Sequence, residues 1–334
     1  MPIAVVIGVL CLGGFQTPRE SNFRSKFIFE TAPFRECHAS TIVETASGNF
    51  IAAWFGGTHE GAPDVAIWMS RLSQGRWSPP EVVAREPNVP AWNPVLFRAP
   101  NGRLWLYYKV GPSPENWTGA RKFSTDDGKT WQGPEYLPAG LLGPIKDKPI
   151  VLANGDIVAG SSVESYHSWS AWIERSTDGG SSWTKFGPIV IPGEPFGIIQ
   201  PTLVELEPNR LRLFARSRQG KIYTADSSDG GRTWTSARPT SLPNPNSGID
   251  SLRLRDGRIL LVHNPSTRER WPLSVAVSGD GGETWKPWLT LETGPGEFSY
   301  PAVIEDSHGD VHITYTWNRR RIKHVVILKD TIPP

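Results

Sequence analysis

An eight-residue pattern recurs along this chain at a nearly constant interval. Four segments follow S-x-D-x-G-x-x-W, beginning at Ser124, Ser176, Ser227 and Ser278, and a degenerate copy, SRLSQGRW, ends at Trp77. The tryptophans of the five copies lie at positions 77, 131, 183, 234 and 285, so the intervals are 54, 52, 51 and 51 residues. A period this regular indicates a repeat architecture in which each repeat is one unit of the fold.

Each copy of the pattern has the composition of a tight turn. The aspartate carboxylate can accept hydrogen bonds from backbone N–H groups of its own turn, and the glycine can adopt positive φ. The tryptophan can then pack back beneath the turn and close a β-hairpin. The sequence therefore predicts that the repeated aspartates are structural rather than catalytic.

A second pattern recurs between these turns: a polar residue, often followed by proline, then an apolar strand, a glycine turn and another strand. Examples are WNPVLFRAPNGRLWLYYK and DKPIVLANGDIVAGSS. Six such units, each with about four strands, match the blades of a β-propeller. We therefore expect an all-β, six-bladed β-propeller. RRIKHVVILKD should supply the outer strand of the last blade, and SKFIFETAP near Lys26 should help to close the ring.

The composition agrees with one propeller domain preceded by a leader. The chain has 15 Trp, 33 Gly and 31 Pro, which favours short strands and turns over helix bundles. No linker or low-complexity tract interrupts residues 25–334, which should form one domain. Residues 1–24 contain an apolar stretch of signal-peptide length, which predicts an exported, periplasmic or extracellular protein. A misassigned start or an extra buried strand is the alternative.

Several classes of ligand find no signal in the sequence. The net charge of +2 gives no indication of a nucleic-acid-binding surface. The apolar stretch near the start is short for a transmembrane helix, so we expect no membrane span in the mature chain. There is no Gly-rich phosphate loop, no Cys/His cluster with zinc spacing and no EF-hand pattern. We therefore expect no cofactor and no metal.

With these turns and repeats, the chain resembles the sialidase superfamily of BNR or Asp-box repeat proteins. The resemblance covers nearly all of the chain after residue 27. It implies a six-bladed propeller with Asp-box turns. It also implies an enzyme that binds a sugar carboxylate with three arginines, uses an aspartate as acid/base, and has a tyrosine–glutamate pair as nucleophile, an exception among glycosidases.

Three residues match the motifs of that superfamily. RWPLSVAVSGDGG places Arg270 as the third carboxylate-binding arginine, and LRLFARSR places Arg216 as the second, with Arg218 as the alternative. GEFSYPAVIE places Tyr300 as the nucleophile. The resemblance therefore implies that Arg216, Arg270 and Tyr300 belong to one site.

Two other positions depart from the superfamily pattern. CHASTIVET has His38 where the first arginine is expected, and IIQPTLVEL has Gln200 where the glutamate should accompany the tyrosine. A neutral amide cannot accept the tyrosine proton as a carboxylate can. His38 is a group that can titrate near neutral pH. Strand alternation turns the neighbouring Cys37 away from the axis, where it should be a small buried filler.

The acid/base residue is expected in the loop FGGTHEGAPDVAIW. Glu60 falls near the expected position, with His59 beside it and Asp64 a few residues later. A glycine-bounded loop with histidine and glutamate at its tip suits proton transfer. The alternative is a solvated polar loop.

Polar residues at the starts of the innermost strands should form a ring around the axis. In chain order they are His38, Asn93, Lys148, Gln200, Asp250 and Tyr300, and the ends of the following strands add Lys109, Glu164, Arg216 and His263 or Asn264. Convergent cations suit a carboxylate ligand. We therefore expect substrate contacts from Arg216, Arg270, Lys148, His59, Asn93 and Asp250. For Lys109 and Asp250 the alternative is a structural charge pair.

Three functions fit this set of residues. We favour a sialidase-like, exo-acting glycoside hydrolase on an acidic sugar, sialic acid or a uronate, because titratable groups converge on one pocket. Tyr300 would then be the nucleophile and Glu60 or Asp64 the acid/base. A uronate-directed lyase would use His38 and Tyr300 as base and acid, in either order. A non-catalytic glycan-binding propeller would stack sugars on aromatic side chains such as Trp169. In each case the partner is an acidic glycan or oligosaccharide.

Overall fold

Antiparallel sheets account for almost all of the regular structure in this protein. A computed structural model describes residues 23–333, and these form six sheets arranged as the blades of a β-propeller. The predicted export leader, residues 1–24, lies outside the described residues except for its last two positions. The described part contains one short 3₁₀ turn, Lys329–Thr331, and no helix there has the length and apolar character to span a membrane.

The first three blades follow one another along the chain, each numbered outward from its innermost strand. Blade one contains β2 (Glu36–Glu44), β3 (Phe50–Gly57), β4 (Ala66–Ser73), β5 (Arg76–Trp77) and β6 (Glu81–Ala84). Blade two contains β7 (Ala91–Arg98), β8 (Leu104–Val110), β9 (Thr118–Ser124) and β10 (Gln132–Tyr136). Blade three contains β11 (Ile150–Val151), β12 (Ile157–Glu164), β13 (Trp169–Ser176) and β14 (Thr184–Ile189).

The last three blades complete the ring. Blade four contains β15 (Ile198–Glu207), β16 (Arg210–Ser217), β17 (Lys221–Ser227) and β18 (Arg238–Pro243). Blade five contains β19 (Asp250–Arg253), β20 (Ile259–His263), β21 (Leu273–Ser278) and β22 (Lys286–Glu292). Blade six contains β23 (Phe298–Glu305), β24 (Val311–Trp317), β25 (Arg321–Ile327) and, from the start of the chain, β1 (Arg24–Phe27).

The ring is closed by the first strand of the chain. β1 pairs antiparallel with β25, with Arg24 opposite Val326 and Phe27 opposite Lys323. The innermost strands of blades six and one, β23 and β2, lie against each other. The predicted closure near Lys26 is confirmed, whereas RRIKHVVILKD supplies the third strand of the blade, β25, and β1 is the outer strand. Closing the sheet in this way covers an edge that would otherwise be open to pairing with another chain.

The four repeated S-x-D-x-G-x-x-W segments form identical turns between the third and fourth strands of their blades. In the segment at Ser227, the Asp229 carboxylate accepts from the backbone N–H of Thr233 at 2.9 Å and from its hydroxyl at 2.6 Å. The Ser227 hydroxyl accepts from the N–H of Gly231, which has a φ of 87°. Hydrogen bonds led by the Thr233 hydroxyl outweigh the opposing effect of partial burial and lower the pKa of Asp229 to about 2. The prediction that these aspartates are structural is confirmed.

A bulge with left-handed backbone recurs at the start of four innermost strands. Two residues there oppose a single residue of the next strand, and the first of the two has positive φ. These residues are Ala39, Asn93, Gln200 and Tyr300, with φ of 57°, 37°, 53° and 52°. The equivalent of Tyr300 in blade one is therefore Ala39. The predicted ring position of His38 is wrong by one residue, because the bulge changes the alternation.

Blades three and four approach each other closely at Gly160 in β12. A Cβ atom built on Gly160 would lie 1.9 Å from the carbonyl oxygen of Pro201, which belongs to the innermost strand of blade four. The close backbone contact therefore requires glycine at this position. On the other side of the ring, Cys37 is buried among Ile28, Trp54 and Trp68, as predicted for a small apolar filler.

Candidate active site

Tyr300 is the centre of the polar ring around the axis. Its side chain is 8% exposed, and its hydroxyl accepts a hydrogen bond of 2.5 Å from Nη1 of Arg216. Three cations surround the ring: Arg216 Cζ lies 5.5 Å from its centroid, Arg270 Cζ 5.7 Å and Lys146 Nζ 5.8 Å. Positive charge on three sides favours any negative charge that develops on the hydroxyl or on a ligand above it.

Arg216 is fixed by its neighbours in blade four. Its Nε donates to Oδ1 of Asn246 at 3.0 Å, and its Nη2 donates to the backbone carbonyl of Asn246. Nη1 donates both to Tyr300 and, at 3.1 Å, to Oε1 of Gln200. Gln200 thus contacts the arginine rather than the tyrosine. The alternative arginine, Arg218, instead packs on the rings of Trp169 and Phe196.

A second cluster joins Arg270 to an arginine that the sequence analysis missed. Glu297 accepts from Nη1 of Arg270 at 2.8 Å and from Nε of Arg319 at 3.0 Å. Burial acts to raise the pKa of Glu297, but Arg319 and Arg270 outweigh it and hold the pKa below its ordinary value. Nη1 of Arg319 donates to Glu60. The site therefore contains three arginines, Arg216, Arg270 and Arg319, with a fixed carboxylate between the last two.

Arg319 comes from the turn between β24 and β25. Asn318 and Arg319 have φ of 50° and 54° in the three-residue turn between the paired residues Trp317 and Arg321, and the carbonyl of Arg319 accepts from the N–H of Cys37. The sequence prediction of an outer strand, RRIKHVVILKD, begins at Arg320 and gives Arg319 no role. The asparagine before the arginines was the available signal, since Asn is typical of such turns.

The two carboxylates of the loop predicted to hold the acid/base residue, Glu60 and Asp64, both have partners within the protein. The Glu60 carboxylate is ion-paired with Arg319. Asp64 accepts from the Thr58 hydroxyl at 2.7 Å and from the Thr58 N–H, and these hydrogen bonds lower its pKa. His59 is exposed, and its Nδ1 lies 3.0 Å from the Glu60 carbonyl. As the structure stands, neither Glu60 nor Asp64 is arranged as a proton donor.

His38 is buried directly against Tyr300. The two ring centroids are 4.1 Å apart, and Nδ1 of His38 lies 2.9 Å from the hydroxyl of Thr316. Its Nε2 is buried without a hydrogen-bond partner among the described residues. Burial, reinforced by Arg319, Arg270, Arg216 and Lys146, lowers the pKa of His38 well below its ordinary value. The imidazole is therefore neutral, which corrects the expectation that it titrates near neutral pH.

Lys148 and Asp250 form an ion pair in which both carboxylate oxygens also accept hydrogen bonds from other residues. Lys148 Nζ lies 2.9 Å from Oδ2 of Asp250, which also accepts from the N–H of Val303 at 2.8 Å. Oδ1 of Asp250 accepts from the Thr202 hydroxyl at 2.8 Å. These contacts support the structural interpretation of Asp250. The lysine beside Tyr300 is Lys146, whose Nζ donates to Asp147 at 2.6 Å and to the Pro301 carbonyl at 2.5 Å.

The remaining ring residues differ in whether their polar groups have partners. Lys109 is fully buried and donates to the Pro144 carbonyl, and burial lowers its pKa to about 7. Asn93 is buried at its left-handed bulge position. Glu164, at the end of β12, has a buried Oε1 without a hydrogen-bond partner in the described part of the chain. Across residues 23–333, no group of three or more His, Cys, Asp or Glu side chains could hold a metal ion.

Comparisons with known proteins place the fold among sialidases. A family model described as a BNR repeat-like domain matches residues 48–313. A sialidase of Bacteroides fragilis (strain YCH46) is 29% identical over 182 residues, which are 49% of this chain and 32% of that protein. The aligned segment thus spans about a third of the length of this relative.

Solved structures give the same fold at low sequence identity. The Hadza microbial sialidase Hz136 superposes with a TM-score of 0.74 at 20% identity, covering 89% of this chain and 66% of that one. The intramolecular trans-sialidase of Ruminococcus gnavus, solved with oseltamivir carboxylate, superposes with a TM-score of 0.75 at 14% identity. That match covers 93% of this chain and 99% of the other.

Proposed function

The chain belongs to the family of BNR repeat-like domains in the sialidase superfamily, and from this premise we propose that it is a glycoside hydrolase that releases a terminal, carboxylate-bearing sugar from a glycan. The observation that carries the proposal is the position of Tyr300, hydrogen-bonded to Arg216 and flanked by Arg270 and Lys146. Such a site combines a nucleophilic oxygen with cations that can bind a carboxylate.

The arginines differ in how many donors they have left for a substrate. A guanidinium has five N–H donors. Arg216 uses all three of its nitrogens on Asn246, Gln200 and Tyr300. Among the described residues, the Arg270 guanidinium makes one hydrogen bond, to Glu297. We therefore assign Arg270 the main contact with the substrate carboxylate, with Arg319 fixing Glu297 behind it.

Gln200 changes how Tyr300 could act. The amide cannot take the tyrosine proton, and it contacts Arg216 instead. Negative charge on the tyrosine oxygen would then be stabilised by the hydrogen bond from Arg216 and by the field of Lys146 and Arg270. Tyr300 can thus support the positively charged sugar that forms when the glycosidic bond breaks, either as a nucleophile or as an electrostatic partner.

A turnover screen tests the proposal. The purified protein is incubated with sialyl-lactose and with uronate-capped oligosaccharides, and released reducing sugar is measured beside the ultraviolet absorbance of an unsaturated uronate. New reducing sugar without that absorbance supports hydrolysis, and the substrate that is cleaved identifies the sugar. The proposal fails if neither class of substrate is turned over while the protein is folded.

His38 favours one second candidate, a uronate lyase. A lyase needs a neutral base beside the substrate, and His38 is neutral, contacts Tyr300 and has an unpartnered Nε2. His38 would remove the proton next to the carboxylate, and Tyr300 would protonate the leaving oxygen. Absorbance of the unsaturated product in the same screen would establish this activity in place of hydrolysis.

We also propose that the protein is exported. The support is the apolar stretch within residues 1–24, which has the length of a signal-peptide core. Mass spectrometry of the protein recovered from periplasm and medium tests this, since export with cleavage would remove the leader.

A further inference from the structure

The Glu164 carboxyl lies at the rim of the site without a partner of its own. Glu164 is the last residue of β12, and its side chain is half-buried. Its Oε1 is buried, and no hydrogen bond or ion pair to another described residue involves the carboxyl group. A half-buried carboxyl that nothing holds is unusual, because burial penalises a carboxylate unless it is paired or hydrogen-bonded.

The place of Glu164 in the fold puts it at the same end of its blade as Arg216. Glu164 ends β12, the second strand of blade three, and Arg216 lies near the end of β16, the second strand of blade four. Arg216 also acts electrostatically on Glu164, as do Glu115 of the β8–β9 loop and Glu60 of blade one. Arg216 is the same residue that donates to the Tyr300 hydroxyl, and Glu60 is the partner of Arg319.

The other carboxylates near the site already accept hydrogen bonds or form ion pairs within the protein. Glu60 is ion-paired with Arg319, Asp64 is held by Thr58, and Glu297 lies between Arg270 and Arg319. Glu164 differs from all three because its carboxyl group makes no hydrogen bond or ion pair with another described residue.

We propose that Glu164 is the general acid of the proposed hydrolysis, the group that protonates the glycosidic oxygen as the sugar leaves. This inference rests on the proposed function. Glu164 would face the leaving group from blade three, across the axis from Tyr300 in blade six. Sequence analysis had placed this role on Glu60 or Asp64.

The protonation state of Glu164 suits such a role. Burial raises the pKa of Glu164 to about 7, Arg216 acts in the opposite direction, and Glu115 and Glu60 add to the increase. The carboxyl group therefore keeps its proton up to about neutral pH. A general acid works best when its pKa lies near the working pH.

The step balances with water as the second substrate. The proton of Glu164 goes to the glycosidic oxygen, and the electron pair of the broken C–O bond stays on that oxygen. In the second half, water attacks the anomeric carbon and its proton goes to the Glu164 carboxylate. The acid is thus restored, and the net reaction is hydrolysis, with the Tyr300 phenol keeping its proton throughout.

Leaving-group dependence tests the assignment. Glu164→Gln is compared with wild type on an unactivated oligosaccharide and on an aryl glycoside of the same sugar, whose phenolate leaves without protonation. We compare kcat/KM, which reports the steps up to cleavage of the glycosidic bond. We expect kcat/KM on the oligosaccharide to fall by about 10²- to 10⁴-fold and kcat/KM on the aryl glycoside to change little. Glu194→Gln is the matched control, since Glu194 is an exposed carboxylate of the loop after β14.

The pH profile of the wild type gives a second test that needs no variant. Because the protonated form is active, kcat on the oligosaccharide should fall as pH rises through about 7, and the aryl glycoside should lack this limb. If Glu164→Gln keeps full activity on the oligosaccharide, or both substrates share one alkaline limb, the assignment is overturned while the proposed hydrolysis stands. If wild type cleaves neither substrate, the proposed hydrolysis itself fails, and the acid role fails with it.

Discussion

Nη1 of Arg216 donates to the hydroxyl of Tyr300 at 2.5 Å and to Oε1 of Gln200 at 3.1 Å. One guanidinium nitrogen thus connects two left-handed bulge positions in different blades. The arginine is oriented by Asn246 on its other side, so its direction toward the tyrosine is fixed before a ligand arrives. Pre-oriented donors of this kind stabilise charge with little reorganisation.

Replacing Tyr300 by Phe should abolish turnover without unfolding the protein. The change removes only the oxygen that accepts from Arg216, and the ring stays in contact with His38. We expect kcat to fall at least about 100-fold, the usual effect of losing one charge-stabilising group. Tyr136→Phe, at an exposed tyrosine bonded to Glu86, is the control. A Tyr300→Phe protein with normal kcat would exclude Tyr300 from the chemistry.

Replacing Arg319 by Ala should weaken substrate binding more than it slows the chemical step. The change releases Glu297, which then pairs more strongly with Arg270 and competes with the substrate carboxylate. Hydrogen bonds between charged groups contribute about 1.5–3 kcal/mol, so KM should rise about 10- to 100-fold. Arg320→Ala, at the exposed neighbouring residue, should leave KM unchanged. Equal KM values for both variants would show that Arg319 does not hold Glu297 away from the substrate carboxylate.

Asp250 should matter for stability rather than for binding. Its carboxylate joins Lys148, Thr202 and the N–H of Val303, which come from three different blades. Breaking a buried pair by removing one charge typically costs about 3–5 kcal/mol. We expect a loss of this size in the free energy of unfolding of Asp250→Asn, measured in urea. Glu207→Gln breaks an exposed pair with Arg210 and should cost less than about 1 kcal/mol.

The buried histidines of blade six should make the protein sensitive to acid. Burial, and the proximity of His312 and Lys26, lower the pKa of His324 to about 3 from its ordinary value of 6.5. Between these values the unfolded chain binds a proton that the folded chain does not, so stability falls as pH falls. The slope is about 1.4 kcal/mol per pH unit for one such group.

A variant separates this contribution from the rest of the chain. His324→Gln should show a pH slope of the free energy of unfolding that is smaller by about 1.4 kcal/mol per pH unit below about pH 6. His167→Gln, at an exposed histidine, is the control and should keep the slope of the wild type. An unchanged slope in His324→Gln would mean that this imidazole titrates alike in folded and unfolded protein.

Gly160 should tolerate no side chain. A Cβ atom at this position would meet the Pro201 carbonyl at 1.9 Å, so the backbones of blades three and four would have to separate. Overpacking costs about 1–3 kcal/mol in favourable cases, and we expect at least the upper end for Gly160→Ala, measured by urea denaturation. Gly279→Ala is the control, because a Cβ there meets nothing within 4 Å. Similar stabilities for the two variants would contradict the close approach.

The sequence predicted the blades because their signals are local. Each S-x-D-x-G-x-x-W turn carries its own hydrogen-bonding groups, so its geometry repeats wherever the pattern occurs. The strand that closes the ring was also predictable from its position before the first blade. Arg216, Arg270 and Tyr300 followed from the superfamily resemblance, and the structure brings them together.

The site residues that were missed depend on contacts between distant segments. Glu297 and Arg319 meet only because the β24–β25 turn folds back over the start of β23. His38 was assigned to the wrong ring position because a bulge adds one residue that strand alternation does not reveal. Glu164 was predicted to belong to the ring of polar residues, but the sequence does not show that its carboxyl group lacks a hydrogen-bond partner. It also does not show that Glu60 and Asp64 are held by other residues.

At the left-handed bulges of Asn93, Gln200 and Tyr300, the direction of the side chain is set independently of its chemical group. At each position the backbone takes the same shape while an amide, a longer amide or a phenol is attached to it. The backbone therefore determines the position of the side chain, and the residue type determines its chemistry there. A substitution at one of these positions can therefore change the chemical group presented to the axis without rebuilding a blade. The same three positions are accordingly the natural starting points for redesigning what this protein recognises.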